Sequence, residues 1–321
     1  MQPSGVRWLS QILTRMDDWI EHEDGRFDVA VMIVNGLIDA GAQAELFAHL
    51  AAEDEPVTPS QVTLLKLVDA WLDRGERPNP TPSPNAFLLP AWHKLAAYTA
   101  ASMNSGEDDG RLGAVLVALM LATEGLSAIV LAVQGRIDAA KQGAPLVSGG
   151  DEAMVAEMKS PSTSIIPQLV SLLGATHAFL PRVKPAAEAP AEPLPFAGIK
   201  RDIVRLLSAL CFDDIEVGNA VREAGGVELV LGMCEVDDRN PYLREHALLC
   251  VRNLMMGNPA NQAIIAEMDP VGIVGENGEL LPLPERMKKA KKAKAGGQGG
   301  EGAASSAPAS GAQLETVHEG K

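Results

Sequence analysis

Apolar residues recur at helical spacing along most of the chain. Near the N-terminus, Trp8, Leu9, Ile12, Met16 and Ile20 recur every three to four positions, which places them on one helix face. We find no long stretch in which apolar and polar residues alternate, as they do in a half-buried strand. The pattern predicts an all-α protein with helices in 7–50, Val62–Leu72, Ala91–Ser102, 111–141, Ile165–Leu180, Ile199–Cys211, Glu216–Ala224, Val227–Val236, Tyr242–Met256 and Asn261–Glu267.

Segments rich in Gly, Pro and Ser separate these helices. Residues 75–85 contain four Pro and predict a loop, and 142–164 predict a mobile insertion with a short helix at Glu152–Met158. Five Pro in 181–198 predict an extended linker. These boundaries give four regions: helical repeats in 1–141, a helix between mobile linkers in 142–198, a second helical domain in 199–284, and a disordered tail in 285–321.

Two parts of the chain repeat one another. Leu210 and Leu254 are 44 residues apart, and Asn219 and Asn261 are 42 apart, in segments that share the order long helix, polar turn, amphipathic helix. A period near 42 is typical of armadillo and HEAT repeats, whose stacked helices form one continuous core. Gly225-Gly226 resembles the sharp interhelical turn of such repeats. The predicted fold is an armadillo/HEAT-like solenoid over residues 5–270, with 271–283 capping its end.

One segment, Leu112–Val133, is long and apolar enough to span a bilayer. Glu124 lies at its centre, where an ionisable group is costly in lipid. Thr123-Glu124-Gly125 also predicts a break between two helices. We therefore interpret the segment as two buried helices and expect no membrane span.

Composition and charge narrow the functional classes. Three Cys do not form a disulfide framework, so we expect a reducing environment. The net charge is −15, and residues 1–284 alone hold 38 acidic and 20 basic residues, or −18. Such a body repels phosphate backbones, so we expect no nucleic-acid binding and favour protein partners, basic or extended in character. The sequence leaves the oligomeric state open.

The motifs of common enzyme classes are missing from the sequence. It contains no Walker A motif, no dinucleotide fingerprint, no H-E-x-x-H and no G-x-S-x-G. His246 and Cys250 are four apart, yet no C-x-x-C or paired ligand set accompanies them. We expect no catalytic residue, no cofactor and no metal.

A resemblance emerges between Lys200 and Pro270. Its strongest pieces are KRD at 200–202, DDRNP at 237–241, LREHA at 243–247, VRNL at 251–254 and NPANQ at 258–262. This segment resembles the C-terminal domain of the ataxin-10 family. The resemblance implies a cytoplasmic, non-enzymatic scaffold for protein–protein interaction, associated with cytokinesis. Relatives carry a longer N-terminal helical region, as expected if this chain is a short form or an incomplete gene model.

The armadillo resemblance also suggests which residues bind a partner. In such repeats an Asn on the third helix often lines the groove and bonds an extended peptide, and Asn253 occupies that type of position, with Arg252 beside it. Asn35 and Arg205 are further candidates. The alternative is that Asn253 satisfies local backbone groups. Because the aligned position in the preceding repeat is Ala209, the row of Asn is incomplete, which weighs against the alternative function of a peptide-binding adaptor in signalling or nuclear transport.

Two charged segments remain open to more than one interpretation. Asn240-Pro241 predicts a helix start, with Arg244 pairing to Asp237 or Asp238 or else binding a partner. The Lys-rich run 286–294 holds six basic residues. It is compatible with nuclear import, anionic lipid, partner docking or a simple solubilising tail.

Overall fold

The computed structural model describes residues 3–74, 78–145, 148–161, 165–184, 196–268, 273–274 and 280–282. In this part the protein consists of thirteen α-helices and one two-residue β pairing, which confirms the predicted all-α repeat fold. The helices are α1 (Pro3–Glu21), α2 (Arg26–Asp39), α3 (Gln43–His49), α4 (Pro59–Leu72), α5 (Leu88–Ser105), α6 (Leu112–Lys141), α7 (Gly150–Lys159), α8 (Ile166–Phe179), α9 (Ile199–Cys211), α10 (Ile215–Glu223), α11 (Gly226–Gly232), α12 (Leu243–Met255) and α13 (Pro259–Glu267).

The chain divides into two compact units. The first, Met1–Ile265, contains almost all of the helices. In the second, Ala266–Lys321, the structure describes the end of α13 and an antiparallel pairing of β1 (Ile273–Val274) with β2 (Leu280–Leu281). Most of the predicted cap at 271–283, the linker residues 185–195 and the Lys-rich tail lie outside the described residues.

Four helices form a row through the first unit. Helix α4 packs against α6, α6 against α9, and α9 against α12, while α1 packs against α4. Helices α5, α8, α10 and α11 pack against this row and against one another. We call α4, α6, α9 and α12 the central row, and their solvent-facing side the central face.

The sequence repeat corresponds to a repeat in the backbone. Helices α9 and α12 both end in an extended residue, Phe212 and Met256, with nearly equal dihedral angles (φ −64°, ψ 121° and φ −66°, ψ 116°). A residue with positive φ follows each time, Asp213 or Gly257. The next side chain, Asp214 or Asn258, then accepts a hydrogen bond from the amide three residues on and caps the following helix. One local geometry thus recurs after 44 residues.

Helix α6 corrects the predicted break at Thr123–Gly125. It runs unbroken for 30 residues. The Thr123 hydroxyl donates to the Leu119 carbonyl and accepts the Trp92 indole N–H, so both polar groups are satisfied within the core. Gly125 is a site of close packing, because a Cβ there would meet Leu72 and Leu88 at 3.2 Å.

The length and composition of α6 also satisfy the criteria for a membrane span. In its most apolar window, 61% of the residues are buried inside the protein. The bent pair α2 and α3 meets the same criteria only if both helices are taken as one span. Core helices of soluble proteins satisfy these criteria as well, so they carry little weight by themselves.

The segment predicted as a mobile insertion contains a packed helix. Helix α7 packs against α6, with Asp151 and Met158 buried. A Cβ at Gly150 would lie 2.1 Å from the Ser83 amide nitrogen, so only glycine allows this close approach to the Pro-rich loop. Residues 148–161 are therefore part of the helical body.

Helix α4 begins with a cap formed by two residues three positions apart. Thr58 accepts from the Gln61 amide at 3.2 Å, and the Gln61 side chain accepts from the Thr58 amide at 3.0 Å. This reciprocal pair is a capping box, with Pro59 at a position that needs no amide donor.

Candidate functional site

The most distinctive sequence motifs surround a buried ion pair. The Lys200 Nζ lies 2.7 Å from Asp237 Oδ2, and each side chain is 1% exposed. Lys200 also donates to the Leu180 carbonyl at 3.1 Å. The Asp237 carboxylate accepts further hydrogen bonds from Asn240 Nδ2 and from the amides of Val183 and Arg239. Both charges are well provided with partners, as buried ions must be.

Because of these partners, Asp237 remains ionised. Burial raises the pKa of its carboxyl group, but the hydrogen bonds from Lys200, Val183 and Asn240 outweigh burial and lower the pKa below its ordinary value. The network ties the chain after α8 to the loop before α12. The KRD and DDRNP motifs therefore stabilise the fold, and we call Lys200, Asp237 and Asn240 the signature lock.

This lock corrects two predictions for the start of α12. Asn240 does not cap α12, which begins at Leu243; its side-chain oxygen accepts from the Lys200 amide at 3.0 Å. Asp237 pairs with Lys200 and not with Arg244. Arg244 itself is exposed in the first turn of α12.

A pocket of about 290 Å³ opens on the central face between α6, α9 and α12. Its walls combine apolar side chains with a few polar ones. We call it the central pocket; it is lined by Leu131, Gln134, Asp138, Arg205, Ser208, Ala209, Phe212, His246, Leu249 and Asn253.

Asn253 joins α12 to the end of α9 at the base of this pocket. Its Nδ2 donates to the Ser208 carbonyl at 2.9 Å and to the Ser208 hydroxyl at 3.2 Å. The carbonyl needs this donor because Ser208 lies in the last turn of α9, and the Phe212 amide bonds Ala209 instead. The Asn253 Oδ1 is buried and lacks a hydrogen-bond partner among the described residues. Asn253 thus satisfies a local backbone group and keeps one acceptor unused.

The predicted site residues divide into two groups. Asn253 and Arg205 line the central pocket together. Arg252 and Arg244 are exposed on α12 and do not line it. Asn35 is half-buried on α2, which packs against α1 and α4, so it does not join Asn253.

Next to the pocket lies a group of charged side chains that sequence reasoning missed. Asp202 is buried on α9, and its Oδ1 accepts from Arg201 Nε at 2.7 Å, while its Oδ2 has no hydrogen-bond partner in the described structure. Arg201 also lies 3.5 Å from Glu124 on α6. We call the charged cluster the set Asp69, Glu124, Arg201, Asp202 and Arg205.

Two carboxyl groups of this cluster have strongly shifted pKa values. Burial, followed by the negative charges of Asp202 and Asp69, raises the pKa of Glu124 to about 7. Burial and the neighbouring Asp73 raise the pKa of Asp69 to about 6. The sequence offered one signal for this cluster, since Glu124 is the single charge in an apolar stretch of α6.

His246 and the cysteines do not combine into a metal site. Burial and the nearby Arg205 lower the pKa of His246, which faces the central pocket. Cys250 is fully buried, and a hydrogen bond with Cys211 followed by burial raises the pKa of its thiol well above the ordinary value. Among the residues that the structure describes, no group of three or more His, Cys, Asp or Glu is arranged to hold a metal ion.

Comparison with known proteins supports the resemblance seen in the sequence. Residues 199–295 match the sequence model of a family described as the spinocerebellar ataxia type 10 protein domain. The "Ataxin-10 homolog" of Candida albicans is 33% identical over 81 residues, 25% of this chain and 18% of the relative. The "Ataxin-10 homolog" of Kluyveromyces lactis is 39% identical over 74 residues, 23% of this chain and 14% of the relative.

A vertebrate relative matches over a similar length. "Ataxin-10" of Xenopus tropicalis is 37% identical over 76 residues, which is 24% of this chain and 16% of the relative. The matched part of this chain thus covers less than a fifth of the length of each of these three relatives. No solved structure gives a significant match.

Proposed function

We propose that this chain, whose residues 199–295 match the ataxin-10 domain, is a non-enzymatic scaffold. It binds other proteins through its central face. The observation that carries this proposal is the central pocket. It opens between three helices and combines exposed apolar side chains with a few polar ones.

A protein segment suits this surface better than a small metabolite does. Leu131 and Leu249 are 45% and 44% exposed at its edge, and apolar side chains left open in this way often mark protein-binding sites. A segment that buries these two leucines gains apolar contact with the protein. The acidic body favours basic or extended partners and speeds their association at low salt.

The cellular role proposed here is regulation of cytokinesis in the cytoplasm. Its support is the ataxin-10 resemblance alone, over the segment that holds the signature lock and the α9 and α12 sides of the central pocket. In cells lacking the gene, we expect an excess of cells with two or more nuclei, which the intact chain restores to normal and a pocket variant does not.

Two adjacent leucines give a matched test of the binding surface. Leu249 lines the central pocket, whereas Leu248 is 51% exposed on the same helix and does not line it. We expect L249E to lose the proteins that the intact chain captures from extracts of dividing cells, and L248E to keep them. Capture should be quantified by mass spectrometry, with thermal melting to show that both variants fold. Equal capture by the two variants contradicts the proposal.

A further inference from the structure

Several hydrogen-bond acceptors in and beside the central pocket lack a donor. Among the described residues, the Asp69 carboxylate makes no hydrogen bond or ion pair, and neither Asp202 Oδ2 nor Asn253 Oδ1 has a partner. Glu124 has only a long contact of 3.5 Å to Arg201. The guanidinium of Arg205 likewise forms no hydrogen bond or ion pair with the residues that the structure describes. The charged cluster contains three acidic and two basic side chains, so it is short of positive charge.

The neighbouring helices do not correct this imbalance. Asp73 on α4 adds another carboxylate near Asp69, and Glu245 on α12 adds one near His246. His246 is neutral at pH 7, because burial and Arg205 lower its pKa. Asp138, at the other end of the central pocket, is already paired with Lys141 and bonded to Gln134. The charge deficit therefore lies between α4, α6 and α9, beside the pocket.

The charged cluster and the central pocket are close enough for one short peptide segment to reach both. Glu124 and Leu131 are seven residues apart on α6, which is two helical turns on one face and about 10 Å along the axis. Arg205 belongs to both sites, because it lines the pocket and lowers the pKa of Asp69 and Glu124. About three residues of extended chain span 10 Å.

We infer that the central face binds an extended segment of a partner protein that places an Arg or Lys side chain against Asp69 and Glu124 and a large apolar side chain in the central pocket. Arg and Lys carry donors and no acceptors, so they match the unused carboxylate oxygens. The cationic group also relieves the repulsion among the three acids of the cluster. This inference deepens the proposed function and rests on it.

Two short extended peptides test the choice of charge. Both carry one Leu in a Gly/Ser/Pro background, and about three positions before it one has Arg and the other has Glu. Binding to the full chain is measured by fluorescence anisotropy. We expect the Arg peptide to bind at least about tenfold more tightly than the Glu peptide, and this preference to shrink as salt rises from about 0.05 to about 0.3 M.

Paired variants locate the binding. We expect D69N combined with E124Q to weaken the Arg peptide about tenfold and to leave the Glu peptide nearly unchanged. The matched control is D28N combined with E228Q. It makes the same change of charge at exposed acids on α2 and α11, outside the central row, and should bind the Arg peptide like the intact chain. Removing the two cluster acids should not unfold the protein, because both resist ionisation in the folded state.

The outcomes separate the inference from the proposed function. Equal binding of the two peptides, no binding of either at about 1 mM, or equal behaviour of the two double variants overturns the inference. If L249E no longer captures the partner proteins while D69N/E124Q captures them like the intact chain, the scaffold function is supported. The inference that a basic side chain binds Asp69 and Glu124 is then wrong. If L249E captures these proteins like the intact chain, the result contradicts the proposed function itself.

Discussion

The signature lock and the charged cluster both place ionisable groups at or below the protein surface, but they differ in how well those groups are satisfied. In the lock, Lys200 and Asp237 are 1% exposed, and their hydrogen-bonding groups meet partners within the chain. In the cluster, Asp69 and Glu124 are half-buried, and their carboxylates are poorly paired. A complete network holds a fold together, whereas an incomplete one leaves capacity for another molecule.

The residues that carry the family resemblance differ from the residues proposed to bind a partner. The motifs that carry the resemblance, KRD and DDRNP, supply Lys200, Asp237 and Asn240 to the lock, so much of their distinctiveness is explained by folding. Asp69 and Glu124, which favour a partner, lie outside the segment that matches the family model. Removing a residue should therefore reduce stability at the lock and reduce binding at the cluster.

The largest effect is expected from breaking the lock. K200M leaves the Asp237 carboxylate buried without its counter-ion, which should lower the free energy of unfolding by about 3–5 kcal/mol. Urea denaturation followed by circular dichroism measures this loss. The matched control is K66M, because Lys66 pairs with Asp17 at 2.9 Å on the surface, and its removal should cost about 0–1 kcal/mol. Equal losses in the two variants would show that the lock is not a structural pair.

A smaller difference is expected between two buried asparagines. Asn261 donates to the Gly218 and Leu254 carbonyls and accepts from Arg222, so N261A removes three hydrogen bonds and should cost about 2–3 kcal/mol. N253A removes one donor together with an acceptor that is already unpaired, and should cost about 1 kcal/mol. The same urea experiment ranks the two variants. A larger loss for N253A would contradict the incomplete pairing described for Asn253.

The smallest effect concerns Glu124 and changes with pH. Its folded pKa, about 7, lies above the ordinary value of 4.5, so the folded protein holds this proton more tightly than the unfolded chain does. Stability from this group therefore falls as pH rises from about 4.5 to about 7 and stays low above that range. After a discount for solvent exposure, E124Q should be more stable than the intact protein by about 1 kcal/mol at pH 8.

The pH profile supplies the control for this last prediction. At pH 5 the folded protein already holds Glu124 neutral, so the stabilisation by E124Q should nearly vanish there. Thermal melting at the two pH values makes the comparison. A gain of stability at pH 5 equal to that at pH 8 would show that Glu124 is not the titrating group.

Local sequence rules succeeded where a local contact decides the structure. The capping box at Thr58 follows such a rule, because its two partners are three residues apart. The 44-residue repeat was readable because each copy carries its own turn and cap. The same rules failed at Gly125 and at Asn240. Gly125 stays within α6 because Leu72 and Leu88 pack against it. The Asn240 side chain accepts a hydrogen bond from the Lys200 amide, forty positions away, and so does not cap α12.

Four properties could be predicted without the structure, because each depends on spacing, composition or contiguous motifs: the helical class, the repeat period, the acidic character and the resemblance to the ataxin-10 family. Helix packing brings Asp69, Glu124 and Asp202 together, since they come from three helices that touch only after the repeats have stacked. It also decided that Asn253 keeps an unused oxygen beside Arg205. Burial and pairing depend on neighbours distant in the chain, and helical periodicity describes only the residues of one helix.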